Sequence, residues 1–351
     1  MDVTAEGRKF LQELGKRCGY EEKMLVKFDE PTSEKYGKLP SQRSLEEHLK
    51  YGVVVIDKPA GPTSHEVVAW AKRLLGVSKA GHGGTLDPRV TGVLPVALER
   101  MTKVVGLVMH SEKEYVCLMQ LHKPIAFEEL KRAVGEFVGE IYQRPPLRSN
   151  VKRAVRRRRI HEIEIIEQEE RLVLMRVVSD AGTYMRKLCW DIGLLLGAGA
   201  HMRELRRTRS GPFDERDLVR MHELSEAVYA YRSEGREDLL RKAVLPGERL
   251  CCSLPKIALR DTAVESVVNG AKLAAPGVAL VSNRVRGGEK VALFTQKGEL
   301  VAIARALMGA EEILEAERGI VAEPLRVVME PHLYPRAWRK GEGRWSSSSL
   351  R

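Results

Sequence analysis

Along the first 50 residues charged positions outnumber apolar ones too heavily for a separate core, yet residues 5–18 and 44–50 both carry helical spacing. In the second of these, Ser44 and Glu47 stand at capping-box spacing, and the proline-bounded stretch 31–40 between the two predicts a loop. From Tyr51 the pattern changes to short strands, helices and glycine-rich turns. The apolar run 52–56 predicts a strand, and Asp57-Lys58-Pro59-Ala60-Gly61-Pro62 predicts the turn after it. Within residues 64–75, Val67, Val68, Ala71 and Leu74 recur at helical spacing, with Ser64 available as a cap. A glycine-rich loop follows at 81–87, then an apolar segment at 92–98, a helical stretch at 102–110 and a β-like run at 114–121. Later, 171–179 predicts a strand, 180–183 a loop and 184–196 an apolar helix. Strands interleaved with helices, without a regular βαβ period, predict an α+β domain.

Charged helical segments over 227–250 lead to a boundary at 251–255. Beyond it, 265–273, 276–282, 290–295, 300–307 and 325–329 predict strands, punctuated by Gly270, Gly277, Gly287, Gly288, Gly298 and Gly319. They amount to a small, mainly β domain of about 80 residues. The chain thus divides into an extension (1–50) that packs on another part of the protein, an α+β domain (51–252), a β domain (253–330) and a loose tail (331–351).

Length and composition agree with this division, since 351 residues with 43% hydrophobic content suffice for about two ordinary cores. The apolar stretches 104–109 and 192–200 are far shorter than the roughly 20 residues needed to cross a bilayer, and the N-terminal MDVTAEGRKF lacks the apolar centre of a signal peptide. No membrane association and a cytoplasmic location are expected. Five scattered cysteines (Cys18, Cys117, Cys189, Cys251, Cys252) show no C-x-x-C spacing, so reduced, mostly buried thiols are expected rather than a disulfide framework or zinc ribbon. The His-Glu pairs at His65, His161 and His222 do not complete H-E-x-x-H, and no metal site is expected.

Charge changes the picture more. The net charge is +11, and residues 143–160 (QRPPLRSNVKRAVRRRRI) hold eight basic and no acidic residues, seven of them Arg. A solvated basic surface would account for net charge alone. Guanidinium forks suit bidentate phosphate contacts better than ammonium groups do, so the arginine bias favours a nucleic-acid partner.

The segment G81-H-G-G-T-L-D-P-R-V-T-G-V-L-P95 concentrates glycines around one carboxylate, Asp87, leaving it reachable on a loop. Taken alone, the same residues fit a turn whose Asp bonds its own backbone. The segment is not G-x-G-x-x-G, and no G-x-x-x-x-G-K-[ST] occurs, so a nucleotide cofactor is not indicated.

This segment resembles the signature of the pseudouridine synthases that act on the tRNA T-loop and of their dyskerin relatives. D57-K-P-A-G-P-T-S-H65, Y142-Q-R-P-P-L-R-S-N-V-K-R153 and D180-A-G-T-Y-M-R-K-L188 agree with it, in order. The C-terminal β domain, ending G319-I-V-A-E-P-L-R-V-V-M329, is similar to the PUA RNA-binding module, and with the N-terminal extension it brings the chain closest to the archaeal dyskerin type. The resemblance implies a pseudouridine-synthase fold, a mixed and largely antiparallel sheet flanked by helices and loops, with the extension packed on a β-rich PUA domain. It implies isomerisation of uridine to pseudouridine in ribosomal RNA, directed by an H/ACA guide RNA within a particle that also holds two small accessory proteins and a kink-turn-binding protein. Guide-free modification of the tRNA T-loop and a noncatalytic RNA-binding scaffold are the alternatives; a pure scaffold has no reason to keep both Asp87 and Arg186.

The reaction exchanges a C–N for a C–C bond without net redox change, so neither cofactor nor metal is expected. The resemblance makes Asp87 the nucleophile and Arg186 the counter-charge that keeps it ionised. Tyr115 would stack on the target base, Tyr184 would serve the proton transfer, and Leu205 would lie under the nucleotide. A uridine in folded RNA cannot reach a buried Asp87 without leaving its stack, and His82 is the candidate wedge. Lys58, Arg144, Arg148, Lys152 and Arg153 are the candidate phosphate contacts. Each also has a plainer reading: a strand aromatic for Tyr115, a buried hydrogen-bonded Tyr184, a core Leu205, a hydrogen-bonded loop His82.

Removal of the charges of Arg156–Arg159 is expected to weaken RNA binding and to flatten its salt dependence by roughly 0.7 in log–log slope for each single-strand phosphate left without its cation. Affinity titrations across a salt series check this; an unchanged slope contradicts it.

Overall fold

The computed structural model describes residues 3–144 and 154–335. In chain order the elements begin with α1 (Val3–Lys16), β1 (Met24–Val26), α2 (Leu45–Lys50), β2 (Gly52–Lys58), α3 (Ser64–Leu75), β3 (Ala80–His82) and β4 (Thr91–Leu98). There follow α4 (Gly106–Met109), β5 (Lys113–Leu121), α5 (Phe127–Gly135), β6 (Gly139–Gln143), β7 (Arg156–Glu169), β8 (Leu172–Ser179), α6 (Met185–Leu195) and β9 (Ala200–Ser210). Next come β10 (Phe213–Asp214), β11 (Leu218–Val219), α7 (Met221–Glu234), α8 (Asp238–Ala243) and β12 (Val244–Pro246). The last stretch holds β13 (Lys256–Leu259), α9 (Asp261–Val268), β14 (Leu273–Ala274), β15 (Val278–Ser282), β16 (Lys290–Thr295), β17 (Leu300–Ala306), α10 (Ala310–Glu315) and β18 (Ile320–Val327). Two compact units result, one of Ser44–Leu250 and one that joins Met1–Arg43 to Cys251–Arg351. Among the described residues no helix is long and apolar enough to cross a membrane.

In the Ser44–Leu250 unit one eleven-stranded sheet runs β11-β2-β4-β9-β5-β8-β7-β6, with β3 on β4, β10 on β9 and β12 on β2. Its pairings are antiparallel except β11 with β2 and β4 with β9, the mixed, largely antiparallel sheet expected. β2 reads as an unbroken apolar run because Val53, Val54, Val55 and Ile56 are all buried. Helices α3, α7 and α8 cover one part of the sheet, packing Val67, Ala71, Leu224, Ala227 and Leu240 on Val54, Ile56, Leu94 and Val96. Helices α5 and α6 cover another, packing Leu130, Val134, Leu188 and Ile192 on Cys117, Met119, Val173 and Met175. β4, β9 and β5 connect the two cores.

Local chemistry sets the helix ends. Ser44 caps α2 through the capping box with Glu47 that its spacing predicted. At α3 the expectation fails: Thr63 is the cap, in a box with Glu66, and Ser64 is the first helical residue. That arrangement leaves the buried Ser64 hydroxyl free for a longer-range contact. The stretch 102–110, expected to be one helix, is a 3-10 turn over Glu99–Lys103 and then the short α4, which begins at Gly106. Within the basic block, Arg156–Arg159 open the long strand β7.

In the other unit a seven-stranded sheet runs β1-β15-β13-β16-β17-β18-β14, so the N-terminal segment contributes an edge strand through Met24–Val26 against Leu280–Ser282. Stretch 265–273, expected to be a strand, is instead the end of α9 followed by β14. The reason is period: Val264, Val267 and Val268 fall on one helical face inside the core, where packing overrides the β-preference of valine. The thiols are not all reduced. Cys18 and Cys252, 234 residues apart, form a disulfide with Cα atoms 5.9 Å apart, whereas Cys117, Cys189 and Cys251 are buried thiols outside that bond. Near it, the fully buried Lys256 and Glu22 form an ion pair. Lys27 donates to the carbonyls of Ile313 (2.6 Å), Leu314 (3.1 Å) and Ala316 (2.7 Å). These contacts fix a segment with too few apolar residues for a core of its own.

Gly92 in β4 has φ +102°, and a Cβ there would lie 2.2 Å from the Arg207 carbonyl oxygen. Gly92→Ala is expected to cost about 2–4 kcal/mol, combining overpacking with backbone strain. Chemical denaturation against wild type measures this; a loss within experimental error contradicts it.

Candidate active site

The loop between β3 and β4 is held from both sides by the protein's own groups. Upstream of Asp87, the Ser64 hydroxyl donates to the Leu86 carbonyl (3.1 Å) and accepts from the Leu86 N–H (2.9 Å). Downstream, Gly61 N–H donates to the Pro88 carbonyl (2.9 Å), and Val90 N–H to that of Asp87 (3.0 Å), closing a turn with proline at its second position.

Lys58 completes the clamp. Its side chain is 0% exposed, and its ammonium donates to the carbonyls of Pro59 (2.8 Å), Pro88 (2.9 Å) and Val90 (2.9 Å). Three donors meet three acceptors, which is what a buried ammonium requires. Burial pushes its pKa below the ordinary lysine value, and the Asp87 carboxylate partly offsets this. The expectation that Lys58 grips phosphate is therefore corrected: it has no path to one, and it braces the loop that carries Asp87.

Asp87 itself points outward. Its side chain is 56% exposed and forms an ion pair with the 53% exposed Arg186, from the first turn of α6. A pair this open adds little stability, at most about 1 kcal/mol. What it fixes is the direction of the carboxylate and a positive charge beside it. Asp87 is not the buried group expected, so depth does not limit access to it.

Tyr184 is the residue before α6 and makes no side-chain cap. Its backbone is held by Gln143, whose amide accepts from Tyr184 N–H (2.9 Å) and donates to its carbonyl (3.2 Å), so the half-buried phenol starts from a fixed point. Tyr115 lies half-buried on β5, opposite Val177 of β8 and Arg207 of β9. Leu205 pairs with Cys117 across β9 and β5 and packs on the α5–α6 core, in keeping with its plainer reading. His82 ends β3; its Nδ1 accepts from Gly84 N–H (3.3 Å), and its ring meets that of His65 edge to face at 5.0 Å. Burial first, then His65 and Arg207, push the His82 pKa down. Arg144 is exposed just after β6. Arg148, Lys152 and Arg153 lie outside the described residues.

Gln143 and Arg207 take part in this framework although residue type gave no reason to single them out, and Ser64, expected as a helix cap, joins them as a brace of the loop. Ser64 and Gln143 stand within the family-like motifs, and Arg207 within the arginine-rich 201–209 stretch. Among the described residues no group of three His, Cys, Asp or Glu side chains is placed to hold a metal ion.

A braced carboxylate with an arginine beside it, two tyrosines on neighbouring elements and a second, β-rich unit fit the RNA-modifying class of protein expected from the sequence. Family models match consecutive parts of the chain: the DKCLD (NUC011) domain over 19–68, the N-terminal domain of TruB family pseudouridylate synthases over 72–126, the C-terminal domain of tRNA pseudouridylate synthase B over 186–251, and the PUA domain over 255–328. A "Probable tRNA pseudouridine synthase B" of Methanopyrus kandleri is 53% identical over 315 residues, 90% of this chain and 93% of that relative. One of Archaeoglobus fulgidus is 51% identical over 91% of this chain and 98% of its own length. Among solved structures, a chain of an H/ACA ribonucleoprotein bound to a substrate RNA containing 2'-deoxyuridine matches with TM-score 0.86 and 45% identity, covering 92% of this chain and 99% of that one. A chain of a Cbf5-Nop10-Gar1 complex matches with TM-score 0.85 and 47% identity, covering 91% and 98%. The chain belongs to the TruB family of pseudouridine synthases, enzymes that isomerise uridine to pseudouridine in RNA.

Lys113, buried at the start of β5, donates to the carbonyls of Val108 (2.8 Å) and Ser111 (2.6 Å). Burial, then Arg207 and Arg209, lower its pKa from 10.5 to about 7. Between these values the unfolded chain holds a proton that the folded chain does not, so this contribution is full above 10.5 and is lost as the pH falls to about 7. Across that window the melting temperature of wild type is expected to climb more steeply with pH than that of Lys113→Met; equal slopes contradict it.

Proposed function

We propose that the chain is the catalytic subunit of a guide-RNA particle in which Asp87 opens the isomerisation of an unstacked uridine. The observation that carries this reading is the outward-facing Asp87–Arg186 pair on a loop braced by Lys58 and Ser64. A carboxylate that must attack ribose or base has to be correctly aimed before substrate arrives, and the ion pair with Arg186 favours that.

In this reading the reaction uses only the chain's own groups. Asp87 forms a covalent bond to the ribose or the base, the N1–C1′ bond breaks, and the bond to Asp87 is broken again as the C5–C1′ bond is made. Tyr115 supports the base by stacking, which grips a ring without fixing its in-plane orientation while it turns to present C5. Tyr184 serves the loss of the C5 proton that follows formation of the new C–C bond. His82, kept neutral by burial, occupies the space that the extruded base leaves. The basic strand start at Arg156–Arg159 and Arg144 face the RNA backbone, while the PUA-like unit holds a guide stem by shape.

Guide direction is supported by the particle-bound neighbours, which cover nearly their whole length on this chain; one is assembled with substrate RNA and one with Nop10 and Gar1, the small partners proposed here too. The name shared by the curated relatives favours a second substrate, the tRNA T-loop, for the same chemistry.

The test uses RNA labelled with tritium at uridine C5, offered as a T-loop RNA and as a guide–target pair with the two small proteins. Wild type is expected to release tritium, most readily from the guided target. Asp87→Asn is expected to lose at least about a thousandfold in rate while RNA affinity stays unchanged. Equal release by both proteins contradicts the assignment of Asp87; release from the T-loop RNA alone contradicts guide direction.

A further inference from the structure

The Arg207 side chain is 1% exposed, and no carboxylate is among the groups that act on it; burial alone lowers its pKa, with the Tyr115 phenol opposing. An uncompensated buried guanidinium is expensive, so its contacts must fix it strongly. Its Nε donates to the Val93 carbonyl (2.8 Å) in β4, and its Nη2 to the Gly84 carbonyl (3.1 Å) in the loop three residues before Asp87. On the neighbouring strand Arg207 is in register with Tyr115, beside a bulge between Glu114 and Tyr115. Gly84 has φ +132°, and a Cβ there would stand 3.6 Å from Arg207 Nη1 and 3.7 Å from Lys113 Cε, so the loop is drawn close around the guanidinium.

We propose that Arg207 is a positioning residue for the isomerisation: by gripping the Gly84 carbonyl from a strand position paired with Tyr115, it fixes the carboxylate loop and the base-supporting aromatic ring relative to each other. Lys58 and Ser64 hold the loop to β2 and α3, whereas Arg207 holds it to β9 and, through β9, to β5. A lysine in its place keeps the charge but offers no planar fork that spans both carbonyls. This inference rests on the roles given above to Asp87 and Tyr115.

The experiment measures tritium release by the full chain on whichever RNA wild type modifies, for Arg207→Lys, Arg207→Gln, Tyr115→Leu and the Arg207→Lys/Tyr115→Leu double variant, beside Asp87→Asn. Arg207→Lys is expected to lose roughly tenfold or more in kcat with KM for RNA unchanged. Its loss and that of Tyr115→Leu are expected to be non-additive, because both disturb one alignment. Wild-type kcat in Arg207→Lys, a change confined to KM, or strictly multiplicative losses would overturn the proposal. So would loss of RNA binding in both Arg207 variants, which makes the residue a core strut and nothing more. Activity retained in Asp87→Asn is a separate outcome, which defeats the underlying reading instead.

Discussion

The ammonium of Lys58, removed from water and shared among the carbonyls of Pro59, Pro88 and Val90, is the contact on which the site depends. An unpaired buried cation would cost on the order of several kcal/mol, so this one persists only while all three acceptors converge on it. Two of them belong to the turn that begins at Asp87. The conformation of that turn and the burial of the lysine are therefore one condition, satisfied or broken together. The strand that delivers Lys58 is fixed independently, because Val53–Ile56 are enclosed by the core.

From this follows a division between groups that hold and groups that act. Lys58, Ser64, Gln143 and Arg207 are buried, and they bond backbone rather than charge. Asp87 and Arg186 are more than half exposed and bond each other. An exposed ion pair is weak as a source of stability, which in the proposed reaction leaves it free to exchange partners when RNA arrives. Rigidity comes from below and reactivity stays at the surface. The sheet topology makes this possible: β4, β9 and β5 lie side by side where the two helical layers meet, so a loop after β3, an aromatic on β5 and the start of α6 share one neighbourhood.

How much of this could be read in the sequence depends on range. Short-range rules worked where the chemistry is local: the Ser44–Glu47 box, the helical face of 64–75 and the buried run of β2 are all visible in residue order. They failed where two local answers compete, as at Thr63 and Ser64, both good caps, of which the first was used and the second freed to bond Leu86. Valine in α9 misled because its β-preference is weaker than the packing of one helical face. Lys58 misled for another reason, since a lysine in a glycine–proline turn looks solvent-facing until its distant carbonyl partners are known. The Cys18–Cys252 bond joins residues 234 positions apart and leaves no trace in spacing. The residues proposed to act were legible only through motifs matched to a family, because nothing in periodicity or composition distinguishes Asp87 from any aspartate in a turn.

The most direct measurement of the central claim is the turnover of Lys58→Met on a uridine-labelled RNA, set beside its RNA affinity. Methionine fills a similar volume but removes the donor that the Pro88 and Val90 carbonyls share, leaving Pro88 only the Gly61 N–H. A fall in kcat of about a hundredfold or more with affinity preserved is the predicted result. Turnover close to that of wild type would contradict the account, since the carboxylate would then be aimed by something other than the buried lysine.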